Sequence, residues 1–224
     1  MSVKQSLFGH QTVKELPKCK RGDVLCALEE LVGPQVKIRT HGLEQLLALD
    51  AHRRSPVVAA ILANRVGEPD IDLRLEIVKA LAMALRPDLD GTRALDSVRC
   101  WLRYTLGRMR RRETYALLQI VAISPENLDP VCQVLDACSF SGGALVQILA
   151  DRNVDVAIRI AAAKSIGRIG FLEAEPVLQR LGQRLARRQA GQKEMAFAPI
   201  PNHGAQALLP EVINALHALG DGTD

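Results

Sequence analysis

Arginine side chains are concentrated in two segments of this chain, 97–112 and 176–193, and neither segment contains a carboxylate. Guanidinium groups bind phosphate and carboxylate groups in bidentate geometry, and aromatic rings between them can stack on bases or other planar groups. Trp101 and Tyr104 lie among the arginines of the first segment. We therefore predict a partner-binding surface that consists of Arg99, Arg103, Arg110, Arg111, Arg112, Arg184, Arg187 and Arg188.

A solvated helix face is the alternative interpretation of these arginines, and the sequence alone favours it because solvated charge runs are common. In that case Trp101 and Tyr104 pack between neighbouring helices while the arginines contact water. The sequence leaves open whether the two segments lie on the same side of the protein. Helical spacing in the first segment predicts one buried stripe, formed by Leu95, Val98, Leu102, Leu106 and Met109.

The sequence contains no constellation of the catalytic, nucleotide-binding or metal-binding type. Its five histidines lack the spacing of metal ligands, and its five cysteines include no C-x-x-C pair. Paired carboxylates such as Asp70 and Asp72 lie where helix ends are expected, so capping accounts for them. We therefore predict no catalytic residue, no metal site and no cofactor. Enzymatic activity is unsupported, and we favour a protein that is not an enzyme.

Composition favours the all-α class and a reducing compartment. Hydrophobic residues make up 48% of the chain and aromatic residues 3%, with a net charge of +4. Leu and Ala, which favour helices, supply much of the apolar mass. The first residues show no signal-peptide pattern, and the longest apolar run, 57–63, is too short to cross a bilayer. We expect a cytoplasmic protein without membrane insertion, whose cysteines serve as small apolar residues.

Helix caps and proline or glycine breaks predict five helix pairs. Residues 1–22 are expected to form a polar basic arm, and 23–224 a single domain. The fourth pair is irregular, with an interruption at 139–143, and the longest loop is expected at 191–204. The predicted pairs are 23–32 with 35–49, 55–66 with 70–85, 92–109 with 111–123, 125–150 with 154–169, and 173–189 with 205–219.

An arginine recurs near the start of the second helix of a pair and gives the chain an internal period. Arg39, Arg74, Arg112 and Arg159 are each followed, four residues later, by an apolar or small residue. The third unit departs from the pattern at Gln119, where the others have Leu or Ile. We predict that the first, second and fourth of these arginines form hydrogen bonds between repeats. The predicted buried positions are Leu43, Leu46, Val78, Leu81, Ile120, Ala163 and Ile166.

The clearest copy of the pattern is N-V-D-V-A-I-R-I-A-A-A-K-S-I-G-R-I-G at 153–170. It resembles the HEAT repeat, including the variant first recognised in bilin lyases, and Ile38-Arg39 and Leu73-Arg74 match part of it. The resemblance covers most of 23–219 and implies an α-solenoid of about five antiparallel helix pairs. It also implies a non-catalytic scaffold or adaptor that binds a protein partner.

Two alternative functions follow from the same resemblance. HEAT-like repeats also build alkylpurine DNA glycosylases, so the first alternative is a nucleic-acid-binding protein that uses its arginine-rich helices. That family relies on aromatic and acidic residues in a concave cleft, and no such set can be matched here residue by residue. A bilin-lyase-like role is the second alternative, and it is supported by 161–170 alone.

Overall fold

The computed structural model describes residues 21–86, 94–194 and 203–220. Within those ranges the chain forms twelve α-helices and no β-strand, which confirms the all-α prediction. None of the helices in this part of the chain has the length and hydrophobicity needed to cross a bilayer. The predicted N-terminal arm lies outside the described residues except for Arg21 and Gly22, which begin the first helix.

Most helices agree with the predicted pairs to within a few residues. They are α1 (Arg21–Leu31), α2 (Val36–Ala48), α3 (Ala51–Arg54), α4 (Pro56–Asn64), α5 (Ile71–Leu85), α6 (Asp96–Leu106), α7 (Arg111–Ile123), α8 (Leu128–Asp136), α9 (Ser141–Ala150), α10 (Val156–Ile169), α11 (Glu175–Glu194) and α12 (His203–Gly220). Two short 3₁₀ turns, Pro125–Asn127 and Leu172–Ala174, precede α8 and α11.

Side-chain caps and a left-handed glycine explain several helix ends. Ser55 Oγ accepts the Val58 N–H at 3.4 Å at the start of α4. Asp70 Oδ1 accepts the Leu73 N–H at 2.9 Å at the start of α5. Gly170, with a φ of 78°, ends α10 in the conformation that glycine adopts most readily. These residues satisfy backbone groups that a helix end leaves without partners.

The interruption predicted at 139–143 is shifted in the structure. α8 ends at Asp136 and α9 already begins at Ser141, so the two following glycines are helical. A Cβ on Gly142 would overlap the ring of Phe171, which explains why glycine occupies that position. Gly142 therefore serves close packing and does not break the chain.

The structure also contains one helix that the sequence did not predict, and another helix is longer than predicted. α3 forms where a break was expected, and Asp50 before it accepts from Arg54 Nε at 3.2 Å, which holds this single turn together. α11 continues to Glu194, past its predicted end at residue 189. Residues 191–194 and 203–204 of the predicted loop are therefore helical, and residues 195–202 lie outside the described part of the chain.

Helices pack both within pairs and between neighbouring pairs. α1 packs on α2, α9 on α10, and α11 on α12, as the predicted pairing requires. α2 contacts α5, and α10 contacts both α7 and α12. The third predicted pair is divided, because α6 packs on α4 and α5 whereas α7 packs on α8, α9 and α10. The two helices of that pair therefore belong to different neighbourhoods.

One apolar cluster extends from α1 to α12 and contains the predicted core. Small residues allow a close contact between α10 and α12, in which a Cβ on Gly167 of α10 would lie 3.0 Å from the Cα of Ala215 in α12. The buried residues include every predicted core position: Leu43, Leu46, Val78, Leu81, Ile120, Ala163 and Ile166.

Arg39 and Arg74 are buried and connect successive helix pairs, as predicted. Arg39 Nη2 donates to Glu68 Oε1 at 2.6 Å, in the turn before α5. Arg74 Nε donates to Glu68 O at 2.6 Å, and its Nη1 donates to Ala116 O at 2.9 Å in α7. Glu68 therefore joins the first two pairs, and Arg74 joins the second pair to α7.

The same contacts explain where the period breaks. Gln119, which interrupts the apolar pattern, accepts from Arg74 Nη1 at 2.8 Å through its Oε1. Arg159 is buried and donates from Nε to Leu149 O at 2.9 Å, within its own helix pair. Arg112, the remaining periodic arginine, is exposed on the first turn of α7. The predicted bonds between repeats are thus confirmed for Arg39 and Arg74, whereas Arg159 stabilises its own pair and, among the described residues, makes no hydrogen bond to another repeat.

Candidate binding surface

The eight predicted site residues lie on α6, at the start of α7 and on α11, and they differ in exposure. Arg99 and Arg184 are partly buried, and the other six are exposed. The Nε atoms of these two arginines are buried without a hydrogen-bond partner among the described residues. Both side chains therefore carry donors that the described part of the protein does not satisfy.

Arg99 and Arg103 line a groove between α6 and α8 with a volume of about 650 Å³. They are one helical turn apart, so both side chains leave α6 on the same flank. Asp136 and Gln133 of α8 also line the groove. The fold thus adds one carboxylate and, through Arg86 at the end of α5, one further arginine to a groove that contains Arg99 and Arg103.

Trp101 and Tyr104 do not pack between neighbouring helices, so this part of the solvated-face interpretation is wrong. Their side chains are 51% and 59% exposed. The two rings meet edge to face with centroids 5.8 Å apart, and Arg108 Cζ lies 5.8 Å from the centroid of Tyr104. α6 therefore presents an aromatic pair beside an arginine on its solvent side, because its other side carries the buried stripe.

The predicted stripe of α6 is confirmed at Val98, Leu102, Leu106 and Met109, which are buried. Leu95 is exposed, contrary to the prediction. The reason is that α6 begins only at Asp96, so Leu95 has an extended backbone with a ψ of 143°. Helical spacing cannot be extended to a residue that precedes the helix.

The start of α7 contacts both the start of α9 and the turn between α9 and α10. Arg110 lies over the ring of Phe140, with its Cζ 3.9 Å from the ring centroid. Arg111 Nη2 donates to Asp151 Oδ2 at 2.6 Å. The N–H of Asn153 and then the Arg111 guanidinium lower the pKa of Asp151, because both donate to its carboxylate. This carboxylate is therefore ionised at neutral pH.

Arg152 lies in the same turn, and its positive charge acts on Arg159 of α10 and on Arg184 of α11. Burial, followed by the positive charges of Arg152 and Arg188, lowers the pKa of Arg184. Burial, followed by Arg184 and Arg152, lowers the pKa of Arg159. We therefore assign the arginines at the start of α7, in this turn and on α11 to one candidate surface. We call this surface the basic edge, and it consists of Arg110, Arg111, Arg112, Arg152, Arg184, Arg187 and Arg188.

Arg152 is the member of the basic edge that sequence reasoning missed. It follows Asp151 and therefore lies outside both acid-free segments. The sequence contained one indication of Arg152, because this residue directly precedes 153–170, the clearest repeat-like segment.

A groove of about 340 Å³ runs along α11. Its lining residues share one helix face, and none of them is acidic. They are Arg180, Gln183, Arg184, Arg187 and Arg188. The groove extends the basic edge along the helix, away from Asp151.

In the N-terminal part of the described chain, a buried carboxylate neutralises arginines, whereas the acid at the basic edge is partly exposed. The Glu68 carboxylate is buried and lies 2.6 Å from Arg39 Nη2 and 3.2 Å from Arg65 Nη2. At the basic edge the corresponding acid is Asp151, which is partly exposed and pairs with Arg111. Within the described residues, the excess positive charge lies at 97–112, which contains six arginines and no carboxylate.

Four cysteines lie in the described part of the chain, and all are free thiols. Cys132 and Cys138 are buried as expected, and burial raises the pKa of Cys132 to about 11 and also raises the pKa of Cys138. Cys26 and Cys100 are exposed, so they do not serve as buried apolar residues. Cys100 is two positions from the nearest buried residues of α6. On a helix, that separation directs its side chain away from the buried stripe.

Among the described residues, no group of three or more His, Cys, Asp or Glu is placed to hold a metal ion.

Comparisons of the chain with family models, with curated proteins and with solved structures give no match. The function is therefore argued from the chemistry of the basic edge and of the exposed aromatic pair. Clustered guanidinium groups recognise anionic groups, through charge and through paired hydrogen bonds.

Proposed function

We propose that this chain is a non-catalytic scaffold or adaptor, built from HEAT-like helix pairs, that binds an acidic protein partner through the basic edge. The observation that carries the proposal is the groove along α11, which is lined by Arg180, Arg184, Arg187 and Arg188 and by no acidic residue. Recognition of carboxylates by clustered arginines needs no catalytic group.

The helix arrangement supports the HEAT-like interpretation. Neighbouring second helices, such as α2 with α5 and α7 with α10, are what an α-solenoid requires. Arg39 and Arg74 add hydrogen bonds between successive layers. In such a stack one partner can contact several inter-helix turns at once, and a single turn need not bind tightly.

The energetics of exposed charge also support a binding role. Solvent-exposed arginines contribute little to folding, and arginines that face one another oppose it. Opposite charge on a partner would remove that repulsion, speed association and select against basic partners. A functional surface therefore explains the basic edge better than a requirement of the fold does.

The test compares an edge variant with a charge-matched control. The edge variant carries Arg152→Glu, Arg184→Glu and Arg188→Glu. The control carries the same charge change at cations that lie outside the basic edge: Lys37→Glu, Lys79→Glu and Arg168→Glu. Fluorescence anisotropy measures the binding of a labelled Glu-rich peptide to each. We expect the edge variant to lose affinity by about tenfold or more, because close interfacial charge pairs contribute that much.

Equal losses in the two variants would show a dependence on net charge only and would contradict the assigned surface. Added salt should weaken the wild-type complex through screening. If the edge variant binds as tightly as the wild type, the solvated-face interpretation of these arginines is correct.

Nucleic-acid binding is the second candidate function, and the exposed aromatic pair favours it. Trp101 and Tyr104 beside Arg108 resemble the mixture of rings and cations on which single-stranded bases stack. Oligothymidine with the same total charge as the peptide separates the two candidates. Tighter binding of oligothymidine, with a steep salt dependence and a loss in Trp101→Ala, would favour nucleic acid.

The bilin-lyase-like alternative is the weakest, because packing explains the residues on which it depends. Ala161, Ala162 and Ala163 are buried, and Gly167 lies against Ala215 of α12. Small residues at these positions permit the close approach of α10 and α12, whatever the protein binds. Co-purification with a bilin-carrying subunit would be the observation that supports this alternative.

A further inference from the structure

Three grooves on the described part of the protein join into one. The first, of about 650 Å³, lies between α6 and α8, and the second, of about 340 Å³, lies between α8 and the end of α10. These two grooves share Arg86, Gln133 and Asp136. The third, of about 320 Å³, lies between α10 and α12 and shares Arg168 with the second. We call the three together the long groove.

The length of the long groove fits a chain-like occupant better than a small molecule. Packed helices lie about 8–10 Å apart, so a path from α6 across α8 and α10 to α12 measures roughly 25 Å. An extended peptide rises about 3.3 Å per residue, so about eight residues cover that path. The first groove alone has the volume of a small-ligand site, but Arg86 and Asp136 at its boundary also line the next groove.

At the α6 end of the long groove, opposite charges line the walls without pairing. Arg103 of α6 and Asp136 of α8 have no ion-pair partner among the described residues. Arg99 is partly buried, and its Nε is buried without a hydrogen-bond partner in the described chain. Arg86 Nε donates to Gln133 Oε1 at 3.4 Å. This end therefore offers guanidinium donors and one carboxylate to an occupant.

Beyond Asp136, the charges of the long groove are already paired. Arg168 Nε donates to Asp129 Oδ1 at 2.8 Å, and Lys164 Nζ lies 3.4 Å from Glu211 Oε1. Each of these groups is neutralised by its neighbour, so this end of the groove suits uncharged side chains. Small residues also line it: Gly167, Ala215 and Ala218.

The carboxylates of the long groove select against a polyanion. Asp129 and Asp136 lie on α8 and Glu211 lies on α12, so a nucleic-acid strand or a uniformly acidic peptide would bring negative charge next to them. A segment that is acidic beside Arg99 and Arg103 and basic beside Asp136 meets opposite charge at each position. Charge complementarity therefore fits a peptide of mixed charge.

We infer that the long groove binds an extended segment of a protein partner, about eight residues long, whose charges follow a fixed order. Acidic side chains contact Arg99 and Arg103, a basic side chain contacts Asp136, and small or apolar side chains lie toward α12. The arginines hold carboxylates through paired N–H groups. The long groove shares no residue with the basic edge, so this inference does not depend on acidic-partner binding there.

Three labelled peptides test the inference with the full chain, each made in both chain directions. The mixed-charge peptide is Glu-Glu-Gly-Lys-Ala-Leu-Ala-Leu, the acidic peptide has Glu in place of Lys, and the swapped peptide exchanges every Glu and Lys. Fluorescence anisotropy should show that the mixed-charge peptide binds about tenfold more tightly than either of the others.

Charge reversal in the groove should change which peptide is preferred. Asp136→Lys should weaken the mixed-charge peptide about tenfold and strengthen the acidic peptide, because a cation then faces the exchanged position. Arg103→Glu should weaken the mixed-charge peptide by a similar factor. A merely structural role of either residue would lower all affinities together and leave the preference unchanged.

Arg108→Glu and Glu126→Lys are the matched controls. Both residues are exposed and lie outside the long groove, Arg108 just after α6 and Glu126 just before α8. Each control carries the same charge change as one groove variant and should keep the wild-type preference. Arg103 and Asp136 are exposed, so their substitution should leave stability nearly unchanged, and thermal unfolding checks this for every variant.

The outcomes separate this inference from the proposed function. Equal binding of the three peptides, or an unchanged preference in Asp136→Lys, would overturn the long groove as a peptide site. A loss of the mixed-charge peptide in the edge variant but not in Arg103→Glu would also overturn it. If this peptide binds through Arg103 while the Glu-rich peptide does not bind the basic edge, the long groove is supported and the proposed function of the basic edge is wrong.

Discussion

The Nη2 atom of Arg39 and the Oε1 atom of Glu68 are 2.6 Å apart, and the Glu68 side chain is completely buried. The second carboxylate oxygen of Glu68 lies 3.2 Å from Arg65 Nη2, and its backbone carbonyl accepts from Arg74 Nε at 2.6 Å. One residue thus contacts three arginines that belong to α2, to the end of α4 and to α5. The turn at Glu68 is a joint between the first two helix pairs.

Glu68→Ala should lower the free energy of unfolding by about 3–5 kcal/mol, because Arg39 stays buried without its partner. Urea unfolding at neutral pH measures the change. Glu76→Ala is the control, since Glu76 pairs with Lys79 on an exposed face, and it should cost less than about 1 kcal/mol. Similar losses in the two variants would show that the Glu68 turn does not join the helix pairs.

Ala163→Asp should destabilise the protein by about 3 kcal/mol or more, because Ala163 is fully buried and the substitution inserts an unpaired charge. Ala157→Asp is the control at an exposed position of the same helix, near its N-terminus, where a carboxylate is favourable. Thermal unfolding compares the two variants. An unchanged melting temperature in Ala163→Asp would mean that the assigned register of α10 is wrong.

His52 should make stability depend on pH. Both ring nitrogens are buried without hydrogen-bond partners, and burial lowers the pKa of His52, with Asp50 acting to raise it and Arg53 to lower it. The unfolded chain therefore binds more protons, and stability is complete above the ordinary pKa of about 6.5 and is lost as the pH falls below it. Urea titrations across that range should show a steeper loss in the wild type than in His52→Gln. Parallel curves would assign the loss to other groups.

Gly142 and Gly143 are neighbours in α9 that should respond oppositely to alanine. A Cβ on Gly142 would overlap the Phe171 ring, whereas a Cβ on Gly143 would meet nothing within 4 Å. Gly142→Ala should therefore cost about 1–3 kcal/mol through overpacking. Gly143→Ala should be neutral or stabilise the helix by up to about 1 kcal/mol. Chemical denaturation of both variants tests the packing of Phe171, and a neutral Gly142→Ala would contradict it.

Asp151→Asn should strengthen the binding of an acidic peptide. The change removes the ionised carboxylate from the middle of the basic edge and frees Arg111, so we expect a gain in affinity of about threefold. Asp129→Asn, which removes the exposed carboxylate that pairs with Arg168, should leave the affinity near the wild-type value. A weaker complex in Asp151→Asn would show that Asp151 positions Arg111 for binding.

The helices and most of the core are predictable from the sequence because their signals are local. The caps at Ser55 and Asp70 act within one turn, and the spacing that buries Leu43 and Ile166 is a property of each helix alone. The period of arginines also predicted the buried Arg74. Its partner Gln119 was visible only as a break in the pattern, because a residue 45 positions away supplies the reason for it.

Some features of the candidate site likewise follow from the local sequence, and others depend on contacts between residues that are far apart in the chain. The sequence by itself determined the helical class, the core positions and which segments carry unneutralised arginine. Tertiary structure alone decided that Trp101 is exposed, that Asp136 lines the same groove as Arg99 and Arg103, and that the charge of Arg152 acts on Arg184. The physical reason is that Arg111 and Asp151 are 40 positions apart, and only the packing of α7 against α9 and α10 brings two such charges into contact.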